Sequence, residues 1–252
     1  MAESISDIKT KFNNLKDGEY EGFIDQYSDD DRRGVIQLVN KATNVIEKRR
    51  AEIERTDRML SYEKEYSSYS FICGIDEAGR GPLAGPVVAG AVILPRDERI
   101  LYLNDSKQLS AAKRDELYDV IYEKAVAVSV GIVDHKRIDE INILQATYEA
   151  MRQAIMKLAQ KPDILLNDAV TIPEVPIRQI PIIKGDAKSC SIAAASIVAK
   201  VTRDRIMKEM DAKYPGYGFA ENKGYGSAGH IKAIKELGPC PIHRKSFIGN
   251  FI

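Results

Sequence analysis

Four acidic residues offer the first chemistry in this chain. Asp76 and Glu77 close the apolar run "FICGIDE" directly before the turn Gly79-Arg80-Gly81, Asp168 interrupts "LLNDAV" after buried-type leucines, and Asp186 follows "IPIIKG". Aspartate is a common turn former, and any one of the three strand-end aspartates alone reads that way. Three with the same placement, with Glu77 beside the first, read as one shared site. Successive strand residues face opposite ways, so bringing Asp76 and Glu77 to one point calls for a break in the chain, which the glycine turn is expected to supply. Four hard oxygen donors without a matched set of His or Cys suit Mg²⁺ or Mn²⁺, not zinc. Carboxylate clusters of this kind hold two cations about 3.5–4 Å apart and clamp both oxygens of an in-line phosphoryl displacement. The cations would let the acids and a glycine loop approach the same phosphodiester.

The elements that must position these residues follow from the apolar patterning. "SFICGID" and "GPVVAGAVIL" read as strands joined by the glycine turn, and "AVAVSVGIVD" as a third. Ser110 is the expected N-cap of a helix through Leu117, Tyr118 and Ile121. A second helix, "INILQATYEAMRQAIMKLAQ", is closed by Pro162, and "DILLNDAV" and "IPIIKGD" are short strands after it. A long helix from "SCSIAAAS" runs until Pro215-Gly216 stops it. Strands in a row, then strands alternating with helices, predict an α/β domain over residues 70–252 with a mixed sheet flanked by helices. Residues 1–69 have a different texture. Ile5, Ile8, Phe12 and Leu15, then Val35, Val39, Ala42 and Ile46, recur at helical spacing, which predicts a small helical extension of two or three amphipathic helices. It has either a stabilising role or a substrate-binding one through Lys and Arg contacts to phosphate, and the polar "SYEKEYSSYS" would serve as its hinge.

Composition removes several function classes. Lys plus Arg equals Asp plus Glu at 37 each, so nucleic-acid affinity has to come from a local basic surface. Cys73, Cys190 and Cys240 are odd in number and lack metal-ligand spacing, which fits reduced, buried thiols. The N-terminus lacks the order of a signal peptide and the longest apolar run is too short to span a bilayer, so a soluble cytoplasmic protein is expected, with no membrane partner. Gly79 to Ala84 matches the G-x-G-x-x-A dinucleotide fingerprint, but a strand and not a helix follows it, so its structural context fails. His135, His230 and His243 are scattered and read as surface or structural residues. Ser189, Ser191 and Ser196 read as helix caps or packing residues, and Asp204 as a salt-bridge partner or a supporting residue at the site.

The stretches "GIDEAGRGPLAGPVVAGAVILP", "DSKQLS", "LLNDAV", "KGDAKSCSIAAASIVAKVTRDR", "YGFAENKGYGSAGH" and "HRKSF" run in order from Phe71 to Phe247. Together they resemble the successive signatures of ribonuclease HII, the bacterial type 2 ribonuclease H. The resemblance implies a ribonuclease H-like fold and a Mg²⁺- or Mn²⁺-dependent endonuclease. Its substrates would be the RNA strand of RNA/DNA hybrids and ribonucleotides embedded in duplex DNA, cut on the 5′ side to leave a 3′-hydroxyl and a 5′-phosphate, as in ribonucleotide removal from DNA. It assigns metal binding to Asp76, Glu77, Asp168 and Asp186, the four that the strand-end argument selects. It further implies that Gly79, Arg80 and Gly81 read the ribose 2′-hydroxyl, that Tyr225 stacks on the following sugar, and that Lys107 and Lys184 lie near phosphates. A monomer is expected, although no sequence feature specifies the oligomeric state. The sister type, ribonuclease HIII, and a non-catalytic nucleic-acid-binding module are the alternatives. Asn167 stands before the third aspartate where the family more often has an apolar residue, which would alter a supporting hydrogen bond and leave the ligand in place.

Overall fold

The computed structural model describes residues 3–96 and 98–252. The chain divides into two compact units, Met1–Asp57 and Arg58–Ile252. In the first, α1 (Ile5–Asn13), α2 (Tyr20–Tyr27) and most of α3 (Arg33–Met59) close around Ile8, Phe23, Tyr27, Val35, Leu38 and Ala42. Ser4 caps α1 by accepting from the Asp7 amide, as an N-cap serine should.

The second unit begins with the end of α3 and the short α4 (Ser61–Glu65). It continues through β1 (Ile72–Ala78), β2 (Val87–Ile93), α5 (Ala111–Lys124), β3 (Ala127–Val133), α6 (His135–Lys157), β4 (Ile164–Asp168), β5 (Arg178–Ile182), α7 (Cys190–Lys213), α8 (Phe219–Asn222), α9 (Ala228–Leu237) and α10 (Lys245–Ile248). The five strands form one mixed sheet in the order β3-β2-β1-β4-β5. β2 runs antiparallel to β1 and β3, whereas β4 is parallel to β1 and β5 is parallel to β4.

Alternation along β1 divides its residues between the layers. Cys73 and Ile75 enter the core shared with Ala146, Ala150, Met151 and Ala154 of α6. Gly74 and Asp76 face α7. A Cβ on Gly74 would lie 2.0 Å from the Ser191 carbonyl carbon, and one on Gly90, the partner of Asp76 on β2, would lie 2.3 Å from the Ala195 oxygen. Glycine at both places lets the α7 backbone rest directly on the sheet, with the start of that helix against Gly74 and its second turn, at Ala195 and Ser196, beside Asp76.

Three expectations change here. β1 is not broken after Asp76, because Glu77 and Ala78 remain in register with Ala89 and Val88. β4 ends instead: the last paired residues of β1 and β4 are Ile75 and Asn167, so no neighbouring strand covers Glu77 on that side. The fifth strand starts at Arg178 and stops at Ile182, leaving Asp186 in a separate 3-10 turn, Gly185–Ala187. The "SYEKEYSSYS" stretch is not a loose hinge. Tyr62, Tyr66 and Tyr69 pack on the Ile72, Ile164, Leu166 and Ile182 core, and the Ser70 and Phe71 amides both donate to Asp163. In α6, Asn142 adopts φ 67 and ψ 165, and its Oδ1 accepts from the Leu144 and Gln145 amides. It therefore caps a second helix inside what looks like one.

Candidate active site

Because β1, β4 and β5 are mutually parallel, their C-terminal ends meet at one edge, where open sheets place ligand sites. Asp76 lies near the end of β1, Asp168 is the last residue of β4, and Asp186 follows β5. Asp76 is 6% exposed and Asp186 9%, and Glu77 and Asp168 are half-buried, so the four carboxylates are recessed to different depths and none lies on an open face. The Glu77 amide donates to the Asp76 Oδ1 at 2.7 Å, and the Gly185 amide donates to the Asp168 Oδ1 at 2.7 Å. The second bond ties the Asp186 turn to the end of β4.

The carboxylates repel one another in this recess. Burial, then the charges of Glu77 and Asp168, push Asp76 well above the usual carboxylate range, although the Ser196 hydroxyl opposes the shift. Burial likewise raises Glu77 against the pull of Arg80, whose guanidinium Nη1 is 3.4 Å from the Glu77 Oε1. Asp186 is raised by burial and by Asp105 and Asp168. Burial draws Lys107 down, but the charges of Asp105, Asp76 and Asp186 outweigh it and hold the ammonium above its ordinary value. The recess thus carries more negative charge than Arg80 and Lys107 neutralise. Among the described residues, no three His, Cys, Asp or Glu side chains enclose an ion in this arrangement. The donor set and its excess charge nevertheless fit a hard divalent cation, and Asp76, Glu77, Asp168 and Asp186 are the residues able to hold it.

The glycine turn beside the acids is fastened from beneath by two buried arginines. Arg244, 0% exposed, donates from Nε to the Gly85 oxygen, from Nη1 to that of Arg80, and from Nη2 to those of Gly79 and Pro86, at 3.0, 2.8, 2.6 and 3.2 Å. Arg203 on α7 donates to the Pro86 and Ala84 oxygens at 2.9 and 3.2 Å. With its carbonyls turned inward, the loop is free to present N–H groups outward. Gly79 has φ +95, and a Cβ there would lie 2.1 Å from the Arg203 Nε, so only glycine fits. Tyr225, 44% exposed, covers the loop's other side: a Cβ on Gly81 would be 3.9 Å from its ring, and the Arg203 guanidinium lies 5.7 Å from the ring centroid. Lys184 is exposed, in a left-handed conformation just before Gly185, and among the described residues no contact joins it to the other site residues.

A search by sequence pattern matches the Ribonuclease HII family over residues 73–250 and the Ribonuclease HII N-terminal domain over residues 4–67. The chain belongs to the ribonuclease HII family. It is accordingly a ribonuclease H, an endoribonuclease. A ribonuclease HII of Lachnoclostridium phytofermentans is 63% identical over 250 residues, covering 99% of this chain and 98% of that one. The crystal structure of the ribonuclease H2 from Pyrococcus horikoshii superposes with a TM-score of 0.59 at 31% identity, over 70% of this chain and 93% of the other. Aquifex aeolicus RNase H3 shares the fold, with a TM-score of 0.53 at 18% identity over 73% of this chain and 78% of that one.

Within this ribonuclease HII, the residues that sequence reading passed over are mainly cationic or structural. Arg203 lies on the same i+4 stripe of α7 as Ala195, Ala199 and Met207, and an arginine on an otherwise apolar stripe was the available signal. Glu63 of α4 accepts from the Ser189 hydroxyl and from the Ser191 amide and hydroxyl at 2.6, 2.9 and 2.6 Å, placing an anion at the α7 N-terminus. Ser189 is the N-cap of that helix, and Ser196 joins Ser106 at 3.0 Å. Asp204 pairs with Lys200 at 2.7 Å and Arg114 at 3.9 Å, the salt-bridge reading. Asn167 turns away from Asp168 and donates to the Val170 oxygen and the Gln179 Oε1 at 3.1 and 2.8 Å, so it organises the loop after β4 and not the recess. His230 and His243, expected to be scattered, are buried against each other. No helix among the described residues is long and apolar enough to cross a membrane.

Proposed function

We propose that this chain cuts the RNA strand of RNA/DNA hybrids and nicks duplex DNA on the 5′ side of embedded ribonucleotides, leaving a 3′-hydroxyl and a 5′-phosphate. The observation that carries the reading is a chain of like charges, with Asp168 raising Asp76, Glu77 and Asp186 and Glu77 raising Asp76, next to a glycine loop whose Gly79 and Arg80 carbonyls are held inward. Asp76, Glu77, Asp168 and Asp186 are the proposed ligands for Mg²⁺ or Mn²⁺, which when bound supply the positive charge that draws in the scissile phosphate and activates water.

The chain's own residues do the remaining work. A loop with so little side chain lets the main chain of Gly79, Arg80 and Gly81 approach the ribose closely enough to bond its 2′-hydroxyl, the group that separates RNA from DNA. Tyr225 offers an aromatic face to the next sugar, and a deoxyribose packs there without a penalty for an unpaired hydroxyl. Lys107 and Lys184 serve the phosphates, and Lys107 has its charge reinforced by the same acids that surround it. Such an enzyme acts on ribonucleotides left in DNA, where a 3′-hydroxyl is the product a polymerase extends.

A DNA duplex carrying one ribonucleotide, incubated with Mg²⁺, Mn²⁺ or EDTA, tests this. A nick on the 5′ side of the ribonucleotide that EDTA abolishes is expected. No nick in either metal, or an unchanged rate in EDTA, refutes the proposal.

A further inference from the structure

Two buried imidazoles connect the tyrosine side of the site to the chain segment that fastens the glycine loop. His230 on α9 is 0% exposed and His243 is 3% exposed, with their Nε2 atoms 3.0 Å apart. His230 Nδ1 lies 2.8 Å from the Tyr225 oxygen, and His243 Nδ1 lies 2.9 Å from the Cys240 amide nitrogen and 3.2 Å from the Cys240 oxygen. The Tyr225 end fixes the protons. A carbonyl only accepts, so His230 Nδ1 carries hydrogen and its Nε2 is bare. The bond between the rings then needs hydrogen on His243 Nε2, which donates to the His230 Nε2. His243 Nδ1 is left bare and accepts from the Cys240 amide, the shorter of its two contacts.

Packing alone does not call for this pair. The Tyr217 ring lies 5.1 Å from His243 and the Phe219 ring 5.3 Å from His230, an apolar setting in which two hydrocarbon side chains would fill the space without polar atoms to satisfy. What the imidazoles add is a directed chain of bonds from the Cys240 amide to the Tyr225 carbonyl. That carbonyl also accepts from the Ser227 amide at 2.8 Å, so the Tyr225 main chain is held from two sides while its ring remains exposed beside Gly81. At the other end, His243 bridges to Ala84 and precedes Arg244, whose guanidinium holds Gly79 and Arg80.

We propose that His230, braced by its bond to His243, is a positioning residue for Tyr225 and fixes the distance between that ring and the Gly79-Arg80-Gly81 loop. The proposal rests on the reading that Tyr225 meets the substrate.

A double-mutant cycle on the full-length protein tests it, with kcat and KM measured on a duplex containing one ribonucleotide in Mn²⁺. His230→Leu removes the donor to Tyr225. His230→Asn keeps an N–H near the Nδ1 position. We expect His230→Leu to lower kcat/KM about fivefold to tenfold, the worth of one such hydrogen bond, and His230→Asn to recover most of it. In a Tyr225→Ala background, the His230→Leu loss should shrink to less than about twofold, because residues acting through one another are not additive. If His230→Leu fails to fold, His230→Gln, which reaches His243 but leaves the Tyr225 carbonyl, enters the same cycle. An equal loss in both backgrounds overturns the positioning role and makes the pair structural. Wild-type kcat/KM in Tyr225→Ala overturns the underlying reading of Tyr225, and the inference with it.

Discussion

Replacing Arg244 with lysine keeps the charge and removes the fork that fastens the substrate-reading loop. Burial, then the neighbouring Arg203, draws this guanidinium down to about 9, so it is charged at neutral pH and its four bonds are charge-assisted. Arg203 also serves the Pro86 oxygen, which leaves the Gly79, Arg80 and Gly85 oxygens dependent on Arg244. A lysine ammonium on its flexible stem cannot span all three. With two carbonyls orphaned at about 1–3 kcal/mol each, the loss is about 2–6 kcal/mol. For a domain of this size, each kcal/mol moves Tm by about 2–4 °C, so a fall of about 4–24 °C is expected. Cleavage should suffer beyond stability, because the loop that reads the ribose loses the contacts that hold its carbonyls inward. Scanning calorimetry gives the first quantity. Single-turnover cleavage of a one-ribonucleotide duplex, well below the variant's Tm, gives the second. A variant that melts within about 2 °C of the parent and cleaves at the parent rate would refute the idea that this fork organises the loop.

Asp76→Asn should lower cleavage at least a hundredfold, about 2.7 kcal/mol of transition-state stabilisation. In EDTA the same variant should melt higher than the parent, because one of the mutually repelling charges is gone. The rise in Tm that Mn²⁺ gives the parent should be lost, and a retained rise would remove Asp76 from the ligand set. A chain beginning at Arg58 keeps Glu63, whereas one beginning at Ser67 strips the shared acceptor from Ser189 and Ser191. The Ser67 version also loses Leu60, Tyr62 and Tyr66 from the core, so Glu63→Ala in the Arg58 version isolates the contacts: thermal melts should place it about 1–3 kcal/mol below its parent, and equal melts would show that the Glu63 contacts contribute nothing. If residues 1–57 hold the duplex, the Arg58 chain binds more weakly and with a shallower salt slope than the full chain. Identical values would leave those helices a stabilising role. Stability should also fall as pH drops from about 6.5 toward the His243 value of about 4. Burial holds both histidines of the pair below their ordinary value, with His135 of α6 adding to the effect at His243, so the unfolded chain takes up protons the folded one refuses. Urea melts across that window that show no slope lost in His243→Gln would contradict the assignment.

The acidic candidates were legible because their signal is local. A carboxylate closing an apolar run is costly wherever the strand lies, and three such runs sit in plain view at Asp76, Asp168 and Asp186. The helices were legible for the same reason: Ser110 accepts from the Lys113 amide as its N-cap position predicts, and the periodicity of Ile8, Val35 and Ala42 became a core. What sequence could not supply was which chain segments meet. Glu77 is uncovered on one side because β1–β4 pairing ends at Asn167, and β1 itself does not break; strand length depends on pairing with a neighbour that local pattern does not name. β5 ends at Ile182 and gives way to a tight turn, so Asp186 reaches the site from outside the sheet. Arg203, Arg244, His230 and His243 look like ordinary polar residues in sequence. Their partners are carbonyls and a ring nitrogen delivered by other elements, and a buried polar group reveals its role only when the fold shows what satisfies it. Sequence alone thus determined which atoms could do the chemistry; tertiary structure decided what holds them there, because hydrogen bonds across distant segments exist only once the chain has closed on itself.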